Sequence, residues 1–364
     1  MKLEDIPVQP FYCSQSCVKC ALGCERKWFL RYRWGLTSKS VEIKESADLG
    51  HIYHKFQQYG PGEESKTKAW VRQQQQALAD KIDKGEDIDG QMARKINSMS
   101  VATNKAEAMA KVFWDKYPTP NYLKTLGTEI KIKSSVTIKL SSGEVIEVPI
   151  EGTLDKILQV TEGPRAGDIW IRDHKSTGRS LHLLFEGFPW SIQARLYRIL
   201  ATNYCKQEKI EGNVRGFILD GILKPGIKLC AKDNKNATAW KCTPEEAYLR
   251  RVVEWYKDKE EEASREPLKM PPICSQSIMY NEPILPAELV INIYRVYKMS
   301  QRIPDPQLYS RDVTRTHCSF YEKSCTYMPL CTSPIAEWSE VIDRNYKVES
   351  YNAEEENEDT ETDG

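Results

Sequence analysis

Residues 151–178 read EGTLDKILQVTEGPRAGDIWIRDHKSTG. Two β-rich runs flank a Gly-Pro-Arg-Ala-Gly turn, the pattern of a β-hairpin. The first run holds Asp155, and the second holds Asp173 and Lys175. Residues two apart on a strand share a face, so Asp173 and Lys175 project together. Asp155, on the antiparallel neighbour, reaches the same face if the register permits. Two carboxylates beside a fixed ammonium suit a hard divalent cation and an activated water. A cross-strand salt bridge on a solvated sheet would use the same residues, and the hairpin alone does not decide between the two.

Working outward, GTEIKIKSSVTIKL upstream alternates apolar and polar residues. Ser141, Ser142 and Gly143 form a turn, and EVIEVPIEGTLDKILQV continues as a second strand. With GDIWIRDHK this makes a three-stranded antiparallel meander. Glu129 at its start is a further candidate acid, read as a solvated strand end. Downstream, a helix is expected from about Pro189 in FPWSIQARLYRILATNY, with proline near its first turn. Ile192, Leu196, Ile199 and Leu200 form its apolar stripe, and Gln193 and Tyr197 lie four apart on an adjoining face. Residues 214–230 read as a strand, a Lys-Pro-Gly turn and a second strand. Thr243-Pro-Glu-Glu then opens a helix to about Glu262 with a capping pattern. Residues 62–116 are rich in Gln, Lys, Ala and Glu, a helical insertion or cap with Trp114 and Tyr117 near its end. Before it, GHIYHKF places Gly50 and His54 four apart on a helix, with His51 between them. His54 matters only if that helix lies over the sheet of Asp155 and Asp173.

Both ends of the chain carry cysteines. Cys13, Cys17, Cys20 and Cys24 have spacings of four, three and four, which set them on one helical face. That face is too long for all four to surround one metal unless the segment bends or supplies only Cys17 and Cys20, so one thiol reaching a distant site while the others pack in the core is the favoured arrangement. The following Arg26, Lys27, Trp28, Arg31, Tyr32, Arg33 and Trp34 suit a phosphate backbone with stacked bases; composition alone favours an amphipathic helix with core aromatics. Near the other end, Cys318, Cys325 and Cys331 are one short of the usual four ligands of zinc or an iron–sulfur cluster. The N-terminal cysteines are the evident supply for the fourth.

The chain has 52 basic and 52 acidic residues, so global charge gives no argument for nucleic-acid binding and any such argument is local. No run of apolar residues is long enough for a membrane span, and the N-terminal MKLEDIPVQP lacks the apolar core of a signal peptide. A cytoplasmic protein is expected, in which 11 cysteines suggest ligation over disulfides. The stretch Glu354 to Asp363 is acidic and expected to be disordered. No G-x-x-x-x-G-K-S/T phosphate loop is present, so any ATP-driven unwinding comes from another protein.

Taken in order, these signals resemble the RecB-type branch of the PD-(D/E)XK nucleases, which includes phage recombination nucleases and CRISPR-associated exonucleases. Gly50 and His54 resemble the Gly-x-x-x-His motif, Asp155 in EGTLDKI the Gly-x-x-Asp motif, and Asp173-His174-Lys175 the (D/E)-x-K motif. Gln193 and Tyr197 resemble the Gln-x-x-x-Tyr motif. SQSCVKCALGCERKWFLRY resembles the opening segment that carries a single cluster cysteine, with Cys24 aligning best. The resemblance covers residues 14 to 331. It implies an α/β (α+β) restriction-endonuclease-like core, a central mixed sheet flanked by helices, with a helical insertion and a cysteine cluster closing the two termini. It further implies that His54, Asp155 and Asp173 bind Mg2+ or Mn2+, that Lys175 positions the water, and that Gln193 and Tyr197 contact DNA, with Arg26 and Lys27 as further DNA-binding candidates. Cys24, Cys318, Cys325 and Cys331 would hold a 4Fe-4S cluster, with zinc as the alternative. The C-terminal spacing departs from the Cys-x-x-Cys pair of the better-known pattern. The implied activity is metal-dependent DNA cleavage, most simply by an exonuclease in recombination, repair or processing. The alternative is a DNA-binding scaffold or partner-dependent subunit of a recombination or CRISPR-adaptation complex. The expected organisation is a cysteine and basic-aromatic segment (1–45), a helical region with the metal histidine (46–125), a nuclease core (126–265), a cysteine-cluster region (266–337) and an acidic tail (338–364).

Overall fold

The hairpin sits in the middle of a five-stranded sheet. The structure, a computed structural model, describes residues 2–40, 45–85, 90–265, 272–280, 287–312, 318–320 and 323–349. Its strands are β1 (Leu36–Ser38), β2 (Leu123–Lys139), β3 (Val145–Val160), β4 (Asp168–Thr177), β5 (Asn213–Leu223), β6 (Cys274–Tyr280), β7 (Ser319–Phe320), β8 (Lys323–Ser324) and β9 (Tyr346–Val348). Its α-helices are α1 (Gln15–Gly23), α2 (Glu25–Trp28), α3 (Glu45–Tyr59), α4 (Glu64–Asp83), α5 (Gln91–Lys116) and α6 (Leu181–Gly187). They continue as α7 (Ile192–Gln207), α8 (Ala231–Trp240), α9 (Pro244–Arg265), α10 (Ala287–Ser300), α11 (Met328–Thr332) and α12 (Trp338–Asn345).

The central sheet has the order β2-β3-β4-β5-β6. β2, β3 and β4 form the expected antiparallel meander, whereas β5 lies parallel to β4 and β6 antiparallel to β5. A parallel neighbour needs a long crossover, and the segment holding α6 and α7 supplies it. Helices cover both faces. Ile157, Ile171 and Leu219 share one core with Val18 of α1, Leu196 and Leu200 of α7 and Ile293 of α10. Ile222 and Cys274 share the other with Ile52 and Phe56 of α3, Phe113 of α5 and Val252 of α9. This two-sided cover explains why residues 169–174 of β4 are buried without alternation.

Several expectations change in detail. α7 begins at Ile192, because Phe188–Trp190 forms a 3-10 turn and Ser191 caps the helix by accepting the Ala194 N–H at 3.1 Å. No second strand forms within 224–230: β4 and β6 already occupy both edges of β5. The capping box at Thr243 is present, with Glu246 N–H donating to Thr243 Oγ1 at 3.2 Å and Thr243 N–H to Glu246 Oε2 at 2.9 Å. Residues 338–348, assigned to the tail, instead form α12 and β9, and β9 pairs with β1. The acidic run from Glu354 lies outside the described residues. The N-terminal thiols do not share one helical face: Cys13 bridges to Ile150 ahead of α1, and Cys24 is extended beyond its end. Trp28, Phe29, Leu30, Tyr32 and Trp34 are buried, as the core reading of the basic-aromatic segment expects.

Gly152, the glycine of EGTLD, lets α7 lie close on β3. A Cβ there would stand 2.7 Å from Leu200 Cδ1 and 3.2 Å from Tyr197 Cε1. Gly152→Val should therefore overpack this contact and cost about 1–3 kcal/mol, lowering the unfolding temperature measured by circular dichroism. Adding Leu200→Ala should recover part of the loss. An unchanged unfolding temperature in Gly152→Val would contradict the packing.

Candidate active site

The ladder between β3 and β4 has Lys156↔Arg172 as its last pair toward the site. Just past it stand Asp155 and Asp173. Asp155 Oδ2 accepts the backbone N–H of His174 at 2.8 Å, so a side chain replaces the strand partner lost where the ladder ends. α3 brings His54 over the sheet, its Nδ1 3.4 Å from the same Asp155 oxygen. From the other side, α7 places Gln193 so that Nε2 donates to Asp173 Oδ1 at 3.1 Å. Lys175 Nζ is 3.2 Å from Asp173 Oδ2. His54, Asp155, Asp173, Lys175 and Gln193, read from four separate motifs, thus meet in one cluster.

The two aspartates are driven apart electrostatically. Burial pushes the Asp173 carboxyl above its ordinary range, and the neighbouring Asp155 charge adds to this against the opposing pull of Lys175. Burial acts the same way on Asp155, but His54 beside it outweighs it, with Lys175 helping, and holds Asp155 below the usual carboxylate range. Among the described residues, Asp173 Oδ2 has the Lys175 ammonium 3.2 Å away but accepts no hydrogen bond of good geometry, although the residue is fully buried. An acceptor kept dry beside a second carboxylate and an imidazole fits a divalent cation, and the mixed oxygen and nitrogen donors suit Mn2+ as well as Mg2+. Among the described residues, no group of three or more His, Cys, Asp or Glu side chains is arranged in this conformation to hold a metal ion.

Glu129 belongs to this cluster and is not a solvated strand end. It stands opposite Asp155, between the pairs Thr128↔Lys156 and Ile130↔Leu154, with a left-handed φ of 49°. Its carboxyl is raised by burial and by Asp155, while His54, Lys55 and His51 act in the opposite direction. Strand alternation groups Glu129 with the exposed Lys131 and Lys133, and a left-handed residue is what alternation does not anticipate. On α3, His51 stacks on Trp70 with ring centroids 5.0 Å apart, and Lys55 Nζ lies 5.6 Å from the same ring.

Beneath the cluster lies a buried polar group that motif reading missed. Asp220 of β5 accepts Arg172 Nε at 2.6 Å on Oδ2 and Gln276 Nε2 at 2.7 Å on Oδ1. His174 Nδ1 is 2.9 Å from Asp220 Oδ2. Burial pushes the His174 imidazole down to about 4, so it is neutral near pH 7. The signal in the sequence was an aspartate inside the apolar run GFILDGIL.

Of the DNA-contact candidates, Gln193 and Tyr197 lie beside the carboxylates, whereas Arg26 and Lys27 lie elsewhere. Tyr197 is 2% exposed and packs beside Gly152, so in this conformation it offers no surface to a nucleic acid, and Gln193 is similarly buried against Asp173. Arg26 Nε donates to the Tyr309 carbonyl at 3.2 Å. Lys27 lines a pocket with Cys24, Cys318, Cys325, Cys331, Arg311, Tyr327 and Met328. Arg26 and Lys27 are therefore structural neighbours of the cysteines, away from the carboxylate cluster. That pocket unites Cys24 with the three C-terminal thiols, whereas Cys13 and Cys17 are core residues, the Cys17 sulfur accepting the Trp28 indole N–H at 3.0 Å.

A central mixed sheet bearing an Asp-x-Lys strand, covered by helices that bring His54 and Gln193 to it, defines a nuclease-like core. The family model of the PD-(D/E)XK nuclease superfamily matches residues 12–332, a span that includes the whole cluster and the cysteine pocket. The chain belongs to the PD-(D/E)XK nuclease superfamily. Comparison with curated proteins gives no match. No described helix is long and apolar enough to cross a membrane.

Because the folded state raises the Asp173 pKa, the metal-free protein holds a proton there that the unfolded chain releases. This contribution to stability is full in acid and is lost as pH rises toward neutrality. Asp173→Asn should therefore unfold at a higher temperature than wild type in EDTA, with the gap widening from acid to neutral pH in a calorimetric series. A gap that narrows with rising pH would contradict this electrostatic reading.

Proposed function

We propose that the protein is a divalent-metal-dependent deoxyribonuclease of the RecB type, acting as an exonuclease in DNA recombination, repair or processing. The observation that carries the reading is the buried meeting of Asp155 and Asp173 with His54 and Lys175 where β3 and β4 part. His54, Asp155 and Asp173 would hold Mg2+ or Mn2+, with Glu129 as a neighbouring acid. When bound, the metal neutralises the scissile phosphate and lowers the pKa of a water. Gln193 fixes the Asp173 carboxylate by occupying one oxygen, which leaves the other turned toward Lys175. Lys175, held beside that carboxylate, orients the attacking water and stabilises charge developing on the phosphate. The His174 N–H keeps Asp155 aimed at the same point.

The cysteine pocket has a structural role in this reading. Cys24, Cys318, Cys325 and Cys331 would hold a 4Fe-4S cluster or zinc, as four thiols lining one pocket would suit. Such a centre would close a loop of almost the whole chain, and long loops gain most from closure. A recombination or spacer-acquisition partner would add to the DNA grip of a chain whose charges balance.

Lys175→Ala should reduce cleavage at least about 100-fold while leaving DNA binding largely intact. The assay uses 5′- and 3′-labelled single- and double-stranded DNA with Mn2+, Mg2+ or EDTA, and Asp173→Ala as a second inactive variant. Cleavage retained in both variants would overturn the assignment, and DNA bound but uncut by wild type under every condition would favour a scaffold role. Cys325→Ser should lower the unfolding temperature and remove the metal found by elemental analysis of anaerobically purified protein. Retention of both metal and stability would exclude Cys325 as a ligand.

A further inference from the structure

The segment between Lys175 of β4 and Gln193 of α7 carries an aromatic group that neither the core nor the carboxylate cluster uses. Trp190 is 69% exposed, although its neighbour Phe188 is buried against Phe217 with ring centroids 5.3 Å apart. The 3-10 turn Phe188–Trp190 therefore anchors one ring in the core and turns the other outward. Arg195, one turn into α7, lies with its guanidinium 5.7 Å from the Trp190 ring centroid. Ser191 caps the helix between them, and Gln193, which donates to Asp173, is three residues from Trp190. The indole is thus built onto the end of the helix that reaches the active site.

Burying such a ring away from water would ordinarily be favourable, and here it stays exposed with a guanidinium beside it at the end of the helix that reaches the carboxylates. An indole backed by a guanidinium matches the two parts of a nucleotide: a flat apolar base for stacking and an anionic phosphate for the arginine. A base pair inside a duplex has both faces covered by its neighbours, whereas an unpaired or frayed base offers a face for stacking anywhere along the strand. Resting on the nuclease reading above, we propose that Trp190, with Arg195, forms a stacking platform for an unpaired base of the DNA strand next to the scissile phosphate, making single-stranded or frayed ends the preferred substrate. Trp190 is on this account a specificity-determining residue that touches substrate.

The test measures binding of fluorescein-labelled oligothymidylate and of a blunt duplex by anisotropy in Ca2+, and cleavage of the same strands in Mn2+. Stacking of one base is worth about 1–3 kcal/mol by alanine substitution, so Trp190→Ala should weaken single-strand binding about 5- to 150-fold. Its unfolding temperature should match wild type, since the ring is exposed. Trp190→Phe should restore most of the affinity, and the blunt duplex should bind both variants nearly as well as wild type. In cleavage of single strands the loss should appear in KM. Moving one abasic site along the oligonucleotide should expose a position where wild type loses affinity and Trp190→Ala does not. Equal single-strand affinity of Trp190→Ala and wild type, or an equal loss on duplex and single strand, would overturn the platform. If wild type cleaves DNA while Trp190→Ala behaves identically, only this proposal fails; if wild type neither binds nor cleaves DNA, the nuclease reading fails with it.

Discussion

The structure depends on one place where backbone pairing stops and side chains take over. β3 and β4 pair as far as Lys156↔Arg172, and beyond it Asp155 takes the His174 N–H that no strand partner claims. That bond fixes one carboxylate against the backbone of the strand carrying the other. Two buried carboxylates this close cannot both ionise freely without a compensating cation. His54 and Lys175 provide part of the compensation, and Asp173 is left as the group pushed toward its protonated form. A fold that keeps such an arrangement gives up stability at this point.

The surrounding architecture serves that point from both faces. On one side, α3 is held by Ile52 and Phe56 in a core with α5 and α9, which sets His54 above Asp155. On the other, the absent side chain of Gly152 lets α7 descend until Gln193 reaches Asp173. Asp220 ties β4, β5 and β6 together through Arg172, His174 and Gln276. The polar group beneath the site therefore braces the strand that carries Asp173 and Lys175.

Much of this was legible in the sequence because the relevant signals are local. The meander follows from alternation and turn residues, the helix at Thr243 from its capping box, and the pairing of Asp173 with Lys175 from their spacing on a strand. What was not legible depends on long-range geometry. Glu129 was misread because its left-handed backbone breaks the alternation that grouped it with Lys131 and Lys133. The strand expected within 224–230 failed because β6, arriving from some fifty residues downstream, takes the open edge of β5. Residues 338–348 resembled the start of a tail until β9 paired with β1, a contact between the two ends of the chain that also lie near the four thiols of the cysteine pocket. Helical spacing set four N-terminal cysteines on one face, but α1 ends at Gly23, and that break frees Cys24 to face the other three.

The central claim is that His54, Asp155 and Asp173 form a divalent-cation site. Calorimetric titration of Mn2+ into the metal-free protein, beside Asp155→Asn, tests it most directly. The account predicts saturable binding to wild type with release of protons near neutral pH, and loss of that binding in the variant. Equal Mn2+ binding by wild type and Asp155→Asn would contradict it.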